Sequence, residues 1–241
     1  MEYSSFASCY DVLMKNAEYE KRAEYMLSLF SEFDRAPTLL LDLACGTGGF
    51  TAEFLKRGID VIGADPSAEM LEIAAKKLPN ALFLQQSAEE LNLFGTVDGA
   101  VCCMDSVNHI TDIRRVKKAF SRVSLFLEPQ RLFVFDVNTV YKHKSLLADN
   151  AYVIEEDNVF CSWQNSTVGN LTDIMLDFFV EDNGVYIRSS DFFSERAYTV
   201  EQLEKELCET GFRVEAVFGD MTHKKPEKKE ERIYFVARKV F

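Results

Sequence analysis

Residues 39–71 read LLLDLACGTGGFTAEFLKRGIDVIGADPSAEML, and this stretch decides the fold. Leu39–Leu43 is an apolar run of the length of one buried strand. It breaks into Ala44-Cys45-Gly46-Thr47-Gly48-Gly49, after which Phe50, Phe54 and Leu55 recur at helical spacing until Gly58 offers a C-terminal cap. Val61–Ala64 reads as a second buried strand ending at Asp65-Pro66. Ser67 then caps a helix whose Leu71, Ala74, Ala75 and Leu78 share one face before Pro79. Strands alternating with helices make βαβ units, and these build a parallel sheet covered on both faces.

The pattern continues downstream. Ala81–Gln85, Val97–Met104 and Arg131–Val137 are further strands, and Ile113, Val116, Phe120, Val123 and Leu127 mark one face of a helix between the last two. Between Asn150 and Arg196 the pattern changes. Asp157-Asn158, Gly169-Asn170 and Asn183-Gly184 are hairpin turn signals, and Ile174, Leu176, Phe178 and Val180 alternate with polar residues, which predicts an antiparallel meander of three or four strands. A capping box at Thr199 and Gln202 opens a helix closed by Gly211, and Phe212–Phe218 and Ile233–Phe241 follow as a final hairpin around the charged loop HKKPEKKEER. Upstream, a mixed segment with Phe6 and Tyr10 precedes a helix over Ala17–Phe33. The expected fold is α/β: a Rossmann-like doubly wound sheet of about seven strands with the last antiparallel. Within a single domain 1–241, residues 1–36 form a helical arm, 37–149 and 197–241 the core, and 150–196 an inserted β lid.

Composition limits the function. The formal charge of −12 lacks the positive field that a phosphate backbone requires, so nucleic acid is a disfavoured partner. Lys224, Lys225, Lys228 and Lys229 are offset by Glu227, Glu230 and Glu231. The six cysteines (Cys9, Cys45, Cys102, Cys103, Cys161 and Cys208) show no CxxC pair and read as thiols of a reducing compartment. No apolar run approaches the ~20 residues of a membrane span, and MEYSSFASCYD lacks the regions of a signal peptide, so a cytoplasmic protein is expected. Cys102 and Cys103 sit in a strand without partner ligands at suitable spacing, and no metal is expected. The sequence carries no expectation of oligomeric state.

Gly46 and Gly48 let the chain turn sharply and bring its backbone against a ligand at the C-terminal end of the sheet. Nineteen residues after Gly46, Asp65 ends the second strand, where a carboxylate can accept from both ribose hydroxyls of an adenosine. A dinucleotide site wants a third small residue where this chain has Thr51. Asp42 ahead of the turn disfavours a pyrophosphate and suits the ammonium of a methionine moiety. Both features favour S-adenosylmethionine over NAD.

The D-L-A-C-G-T-G of residues 42–48 resembles the first motif of the class I S-adenosylmethionine-dependent methyltransferases. FASCYDVLM at 6–14, GADPSAEML at 63–71, DSVNHI at 105–110 and RAYT at 196–199 are similar to a bacterial subgroup of small methyltransferases, so the likeness covers most of the chain. The resemblance implies that Asp42, Ala44, Gly46 and Gly48 hold the methionine end, with Cys45 and Thr47 in the same turn. It places Asp65 and Pro66 at the ribose, Met70, Ser87 and Ala88 near the adenine, Cys103 beside the cofactor, and Tyr10 as closure from the N-terminal arm. The chain departs from the family at Ser87, where many members carry an aspartate, and at His109, where the subgroup often shows tyrosine.

Asp105, Ser106 and Asn108 follow the fourth strand, where open α/β sheets place ligands, and are expected to line the acceptor pocket. Asp105 and His109 are the candidate bases. Trp163, Tyr186, Arg188 and Arg196 lie on the insertion and are candidate lid residues, Trp163 and Arg196 foremost as substrate contacts. The expected reaction is in-line displacement, in which orientation of the reacting atoms supplies much of the acceleration. Three functions stay open: methylation of a small molecule, methylation of RNA or protein, and NAD-dependent oxidoreduction or nucleoside binding without chemistry.

Overall fold

A computed structural model of the chain describes residues 4–241, apart from the side chains of residues 4–6 and 8. The side chain of Phe6, assigned above to the N-terminal arm, lies outside the described residues.

The elements run α1 (Ser4–Leu13), α2 (Tyr19–Phe33), β1 (Leu39–Leu43), α3 (Gly49–Lys56), β2 (Asp60–Asp65), α4 (Ala68–Lys77), β3 (Leu82–Gln85), β4 (Gly99–Cys102), α5 (Ile113–Phe126) and β5 (Leu132–Asn138). There follow α6 (Val140–Lys142), which continues into a π turn over His143–Leu147, then β6 (Ala151–Glu156), β7 (Val159–Val168), β8 (Leu171–Asp182), β9 (Val185–Arg196), α7 (Val200–Glu209), β10 (Phe212–Gly219) and β11 (Arg232–Lys239).

Seven strands form one sheet in the order β10-β11-β5-β4-β1-β2-β3, with β11 antiparallel to both neighbours and the β1–β5 pairings all parallel. Alternation within β1 decides which layer each side chain joins. Leu41 and Leu43 pack with Phe133, Phe135 and Phe235 beneath α5 and α7, whereas Leu40 joins Val101, Val134 and Val236 beneath α2 and α3. Every residue of β4 and β5 is buried, as strands covered on both faces must be. The strand order reverses between β1 and β4, so the connections leaving their C-terminal ends part company and open a crevice there.

The insertion is a separate four-stranded antiparallel sheet, β6-β7-β8-β9, turning at the three expected hairpin positions. Its inner face, including Cys161, Ile174, Leu176 and Phe178, packs on Cys9, Val12 and Leu13 of α1. The arm and the insertion therefore close over the crevice together.

Three details differ from the sequence reading. β4 is shorter than Val97–Met104: Val97 makes only an isolated bridge to Leu127, and Met104 and Asp105 leave the strand at positive φ (53° and 51°). The arm holds two helices, where periodicity showed only the second. The α6 and π-turn segment was not anticipated, because its buried residues, His143 and Leu147, are too few to mark a helical face. Among the described residues no helix is long and apolar enough to cross a membrane.

Candidate functional site

The turn after β1 carries positive φ at Ala44 (58°), Gly46 (53°) and Gly48 (79°). Space is open where a Cβ on Gly46 would project, so a ligand can approach that backbone. A Cβ on Gly48 would meet Leu78 Cδ1 at 3.2 Å and Ala74 Cβ at 3.3 Å, so that side of Gly48 packs against α4, and the contact expected of it with a ligand would be made by its backbone.

Asp65 braces this turn from the end of β2. Its Oδ2 accepts from the Gly46 N–H and its Oδ1 from the Ser67 N–H, both at 2.9 Å. Burial raises its pKa, and those two N–H groups partly offset the rise. Each carboxylate oxygen retains a lone pair for another donor. Ser67 in turn caps α4 by accepting from the Met70 N–H at 3.1 Å, as its position before the helix predicts.

Behind the turn lies a niche of about 30 Å³ lined by Asp42, Ala44, Cys45, Gly46, Thr47 and Cys103, with Tyr10 at its edge. Asp42 is buried, and its Oδ2 accepts from Thr51 Oγ1 at 2.6 Å. Burial pushes this carboxyl up to about 7, against the hydrogen bond from Thr51. Thr47 donates to Asp11 Oδ1 at 2.7 Å and so ties the turn to α1.

Tyr10, Ala44, Gly46, Met104 and Ser106 also line a second cavity of about 750 Å³. Asp65, Pro66, Met70, Ser87 and Ala88 lie along one part of it, Asp105, Ser106 and His109 along another, and Ile154, Trp163, Leu176 and Phe193 of the meander form a wall. Ser87 Oγ bonds Glu90 Oε2 at 3.1 Å and retains a lone pair for a donor. Of the four candidate lid residues only Trp163 lines this cavity. Tyr186 is exposed near the β8–β9 turn, Arg188 pairs with Asp177 at 2.8 Å, and Arg196 turns away to bond the Thr111 carbonyl at 3.2 Å. One arm of the Arg196 guanidinium thus ties β9 to the segment before α5.

Asn108, expected to line the acceptor pocket, is corrected to a structural tie. It is fully buried: Nδ2 donates to the carbonyls of Asn138 (3.2 Å) and Arg196 (2.9 Å), while Oδ1 accepts from the Asn138 N–H (2.9 Å). With its amide spent, Asn108 latches the β4 loop to the ends of β5 and β9.

The polar end of the cavity holds residues the sequence reading missed. The N–H groups of Met104 and Asp105 donate to Asp136 at 2.8 and 2.9 Å, which explains their positive φ. Arg232 on β11 pairs with both Asp136 and Asp105. Burial works to raise the pKa of Asp105, but Arg232, Lys142 and His109 outweigh it and hold it at about 2. A carboxylate paired with Arg232 in this way accepts a proton less readily than an unpaired one. Glu195 on β9 is different: burial, and then the Asp105 charge, raise its pKa. His109 stacks on Phe193 with ring centroids 5.0 Å apart and has its Nε2 3.6 Å from Glu195 Oε1. A buried acid at a strand end gives no local signal of a site; only the pairing of β9 with β8 brings Glu195 to this wall.

A family profile described as "Methyltransferase domain" matches residues 40–130. Over 99% of this chain and 98% of its own length, the protein named "Putative methyltransferase YqeM" of Bacillus subtilis is 32% identical. The crystal structure of an S-adenosylmethionine-dependent methyltransferase from Clostridium acetobutylicum superposes with a TM-score of 0.90, at 32% identity over 99% of both chains. The chain belongs to the S-adenosylmethionine-dependent methyltransferases.

For this methyltransferase the residues present fit the cofactor. Asp42, buried without a cationic partner in its hydrogen bonding, suits the methionine ammonium, and the open approach to Gly46 and the spare lone pairs of Asp65 suit the backbone and ribose contacts. S-adenosylmethionine supplies the electrophilic methyl group. The protein supplies orientation and the charge around the accepting atom. A further relative, the dTDP-3-amino-3,4,6-trideoxy-alpha-D-glucopyranose N,N-dimethyltransferase of Streptomyces venezuelae, is 27% identical over 88% of this chain and 92% of its own.

Proposed function

We propose that this methyltransferase acts on a small molecule held in the cavity under the meander, by in-line displacement at the methyl carbon. The observation that carries the reading is the size and lining of that cavity. About 750 Å³ is lined by Asp65 and Met70 of the core and by Ile154, Trp163, Leu176 and Glu195, one or more from each strand of β6–β9. Pockets for small ligands span roughly 300–1,000 Å³, so this one has room for the cofactor and a compact acceptor. The charge of −12 disfavours a polynucleotide acceptor, and the amino-sugar methyltransferase among the relatives is an enzyme of the proposed kind. Six cysteines outside any disulfide, five of them buried, suit a reducing cytoplasm.

Incubation with methyl-labelled S-adenosylmethionine and fractionated extract tests this. Label is expected in the low-molecular-weight fraction. Label confined to RNA or protein would overturn the reading and leave the methyltransferase assignment standing.

A further inference from the structure

Three acid–base side chains from separate elements converge on one wall of the large cavity. Asp105 follows β4, His109 ends a 3-10 turn, and Glu195 lies near the end of β9. One potential donor atom from each falls within 4.8 Å of the other two. All three line the cavity, and the residues flanking Asp105, Met104 and Ser106, line the methionine niche as well. The cluster therefore stands beside the junction of niche and cavity, where a methyl group on the cofactor sulfur would face an acceptor.

The cations on this wall are not shared evenly among its acids. Asp105 and Asp136 share Arg232. Glu195 has no cation bonded to it: Oε1 lies 3.6 Å from His109 Nε2, Oε2 lies 3.6 Å from His143 Nε2, and Asn138 Nδ2 is at 3.4 Å. Lys142, also on this wall, directs its Nζ to Asn138 Oδ1 at 2.9 Å. Arg232 is thus taken up by Asp105 and Asp136, and Lys142 by Asn138, which leaves Glu195 with two imidazoles at 3.6 Å and no bonded cation. His143 cannot supply one, because burial holds its pKa down to about 4. Its Nδ1 lies 3.1 Å from Thr172 Oγ1, while its fully buried Nε2, on the side of Glu195, has no hydrogen-bond partner.

We propose that Asp105, His109 and Glu195 receive the methyl acceptor as an ammonium ion, and that Glu195 takes the proton from its nitrogen. This rests on the small-molecule reading above and names the acceptor class as an amine. The ammonium brings the bonded cation that Glu195 lacks. Its N–H bond breaks as an O–H bond forms on Glu195, leaving a neutral amine. The freed lone pair forms the N–C bond to the methyl carbon as the C–S bond breaks, the sulfur keeping the bonding pair. The methylated product departs as an ammonium, and the Glu195 proton passes to solvent. A hydroxyl acceptor would bring Glu195 no cation, and a carboxylate is too weak a base for it. A divalent cation would compete with Arg232 for Asp105.

Sinefungin tests this without the natural acceptor, since it carries an ammonium-bearing carbon in place of the methylated sulfur. Calorimetry should show wild-type protein binding sinefungin about tenfold more tightly than S-adenosylhomocysteine near pH 7, with the preference growing as pH rises from about 5. Glu195→Gln should lose the preference while holding its affinity for S-adenosylhomocysteine, and Glu195→Asp should keep part of it. With the labelled extract fraction as acceptor, Glu195→Gln should regain transfer above about pH 9, where an amine is already neutral. Equal wild-type affinity for both ligands would overturn the proposal, as would equal weakening of both by Glu195→Gln, or S-adenosylhomocysteine binding that requires an added divalent cation. Transfer absent from Glu195→Gln at every pH would overturn the proton-accepting role. Any of these leaves the small-molecule reading to its own test, the fraction in which label appears.

Discussion

Thr51 Oγ1 donates a 2.6 Å hydrogen bond to Oδ2 of Asp42, and through it the buried Thr51 holds the carboxyl that lines the niche behind the turn. Thr51 occupies the place where a dinucleotide site needs a small residue, so one side chain both disfavours a pyrophosphate and holds the carboxyl that suits an ammonium.

Asp42→Asn should separate stability from binding. With its pKa raised from the ordinary 3.8 to about 7, the folded carboxyl binds its proton more tightly than the unfolded one. The stability this contributes is full below about pH 4 and is lost as pH rises through about 7. The asparagine variant, whose amide oxygen can still accept from Thr51, should melt higher than wild type at about pH 8 and nearly equal to it at about pH 4. Its affinity for S-adenosylhomocysteine should fall at least about tenfold. Melting curves across pH and calorimetry check both halves.

Asp65→Ala removes the acceptor for the Gly46 and Ser67 N–H groups along with the expected ribose contact. Cofactor affinity should fall by about 1.5–3 kcal/mol, the scale of hydrogen bonds to a charged group, with a small drop in Tm from the loosened turn. An unchanged dissociation constant would reduce Asp65 to a brace for the turn.

Asn108→Ala should destabilise the fold without touching a ligand. It strands the Asn138 N–H and the Arg196 carbonyl in a buried site, a cost on the order of 3 kcal/mol. Denaturant unfolding measures the loss, and hydrogen exchange should rise first at the end of β9.

Replacing residues 150–196 by a Gly/Ser linker should leave cofactor affinity within a few-fold, because Asp42, Gly46, Asp65 and Met70 all belong to the core. Methyl transfer should be abolished, since the wall bearing Trp163 and Glu195 is gone. Thermal melting must accompany the assay, as the meander also covers Cys9, Val12 and Leu13.

The sequence by itself determined the alternation of strands and helices, the turn at Gly46, the carboxylate at Asp65, the Ser67 and Thr199 caps, and all three meander turns. Each depends on residues within a few positions of one another, through backbone conformation, capping or period, and such signals survive whatever packs around them. Only the tertiary structure decided which polar residues meet. Asp105 finds Arg232 127 positions away, Asn108 finds the Arg196 carbonyl 88 away, and Glu195 comes to His109 by way of β9. Asp105 and Asn108 look alike as loop residues after a strand, yet one lines the cavity and the other is buried as a latch. Burial and the partner's charge, which set a carboxylate's pKa and an amide's role, are properties of position in the folded chain and have no local signature.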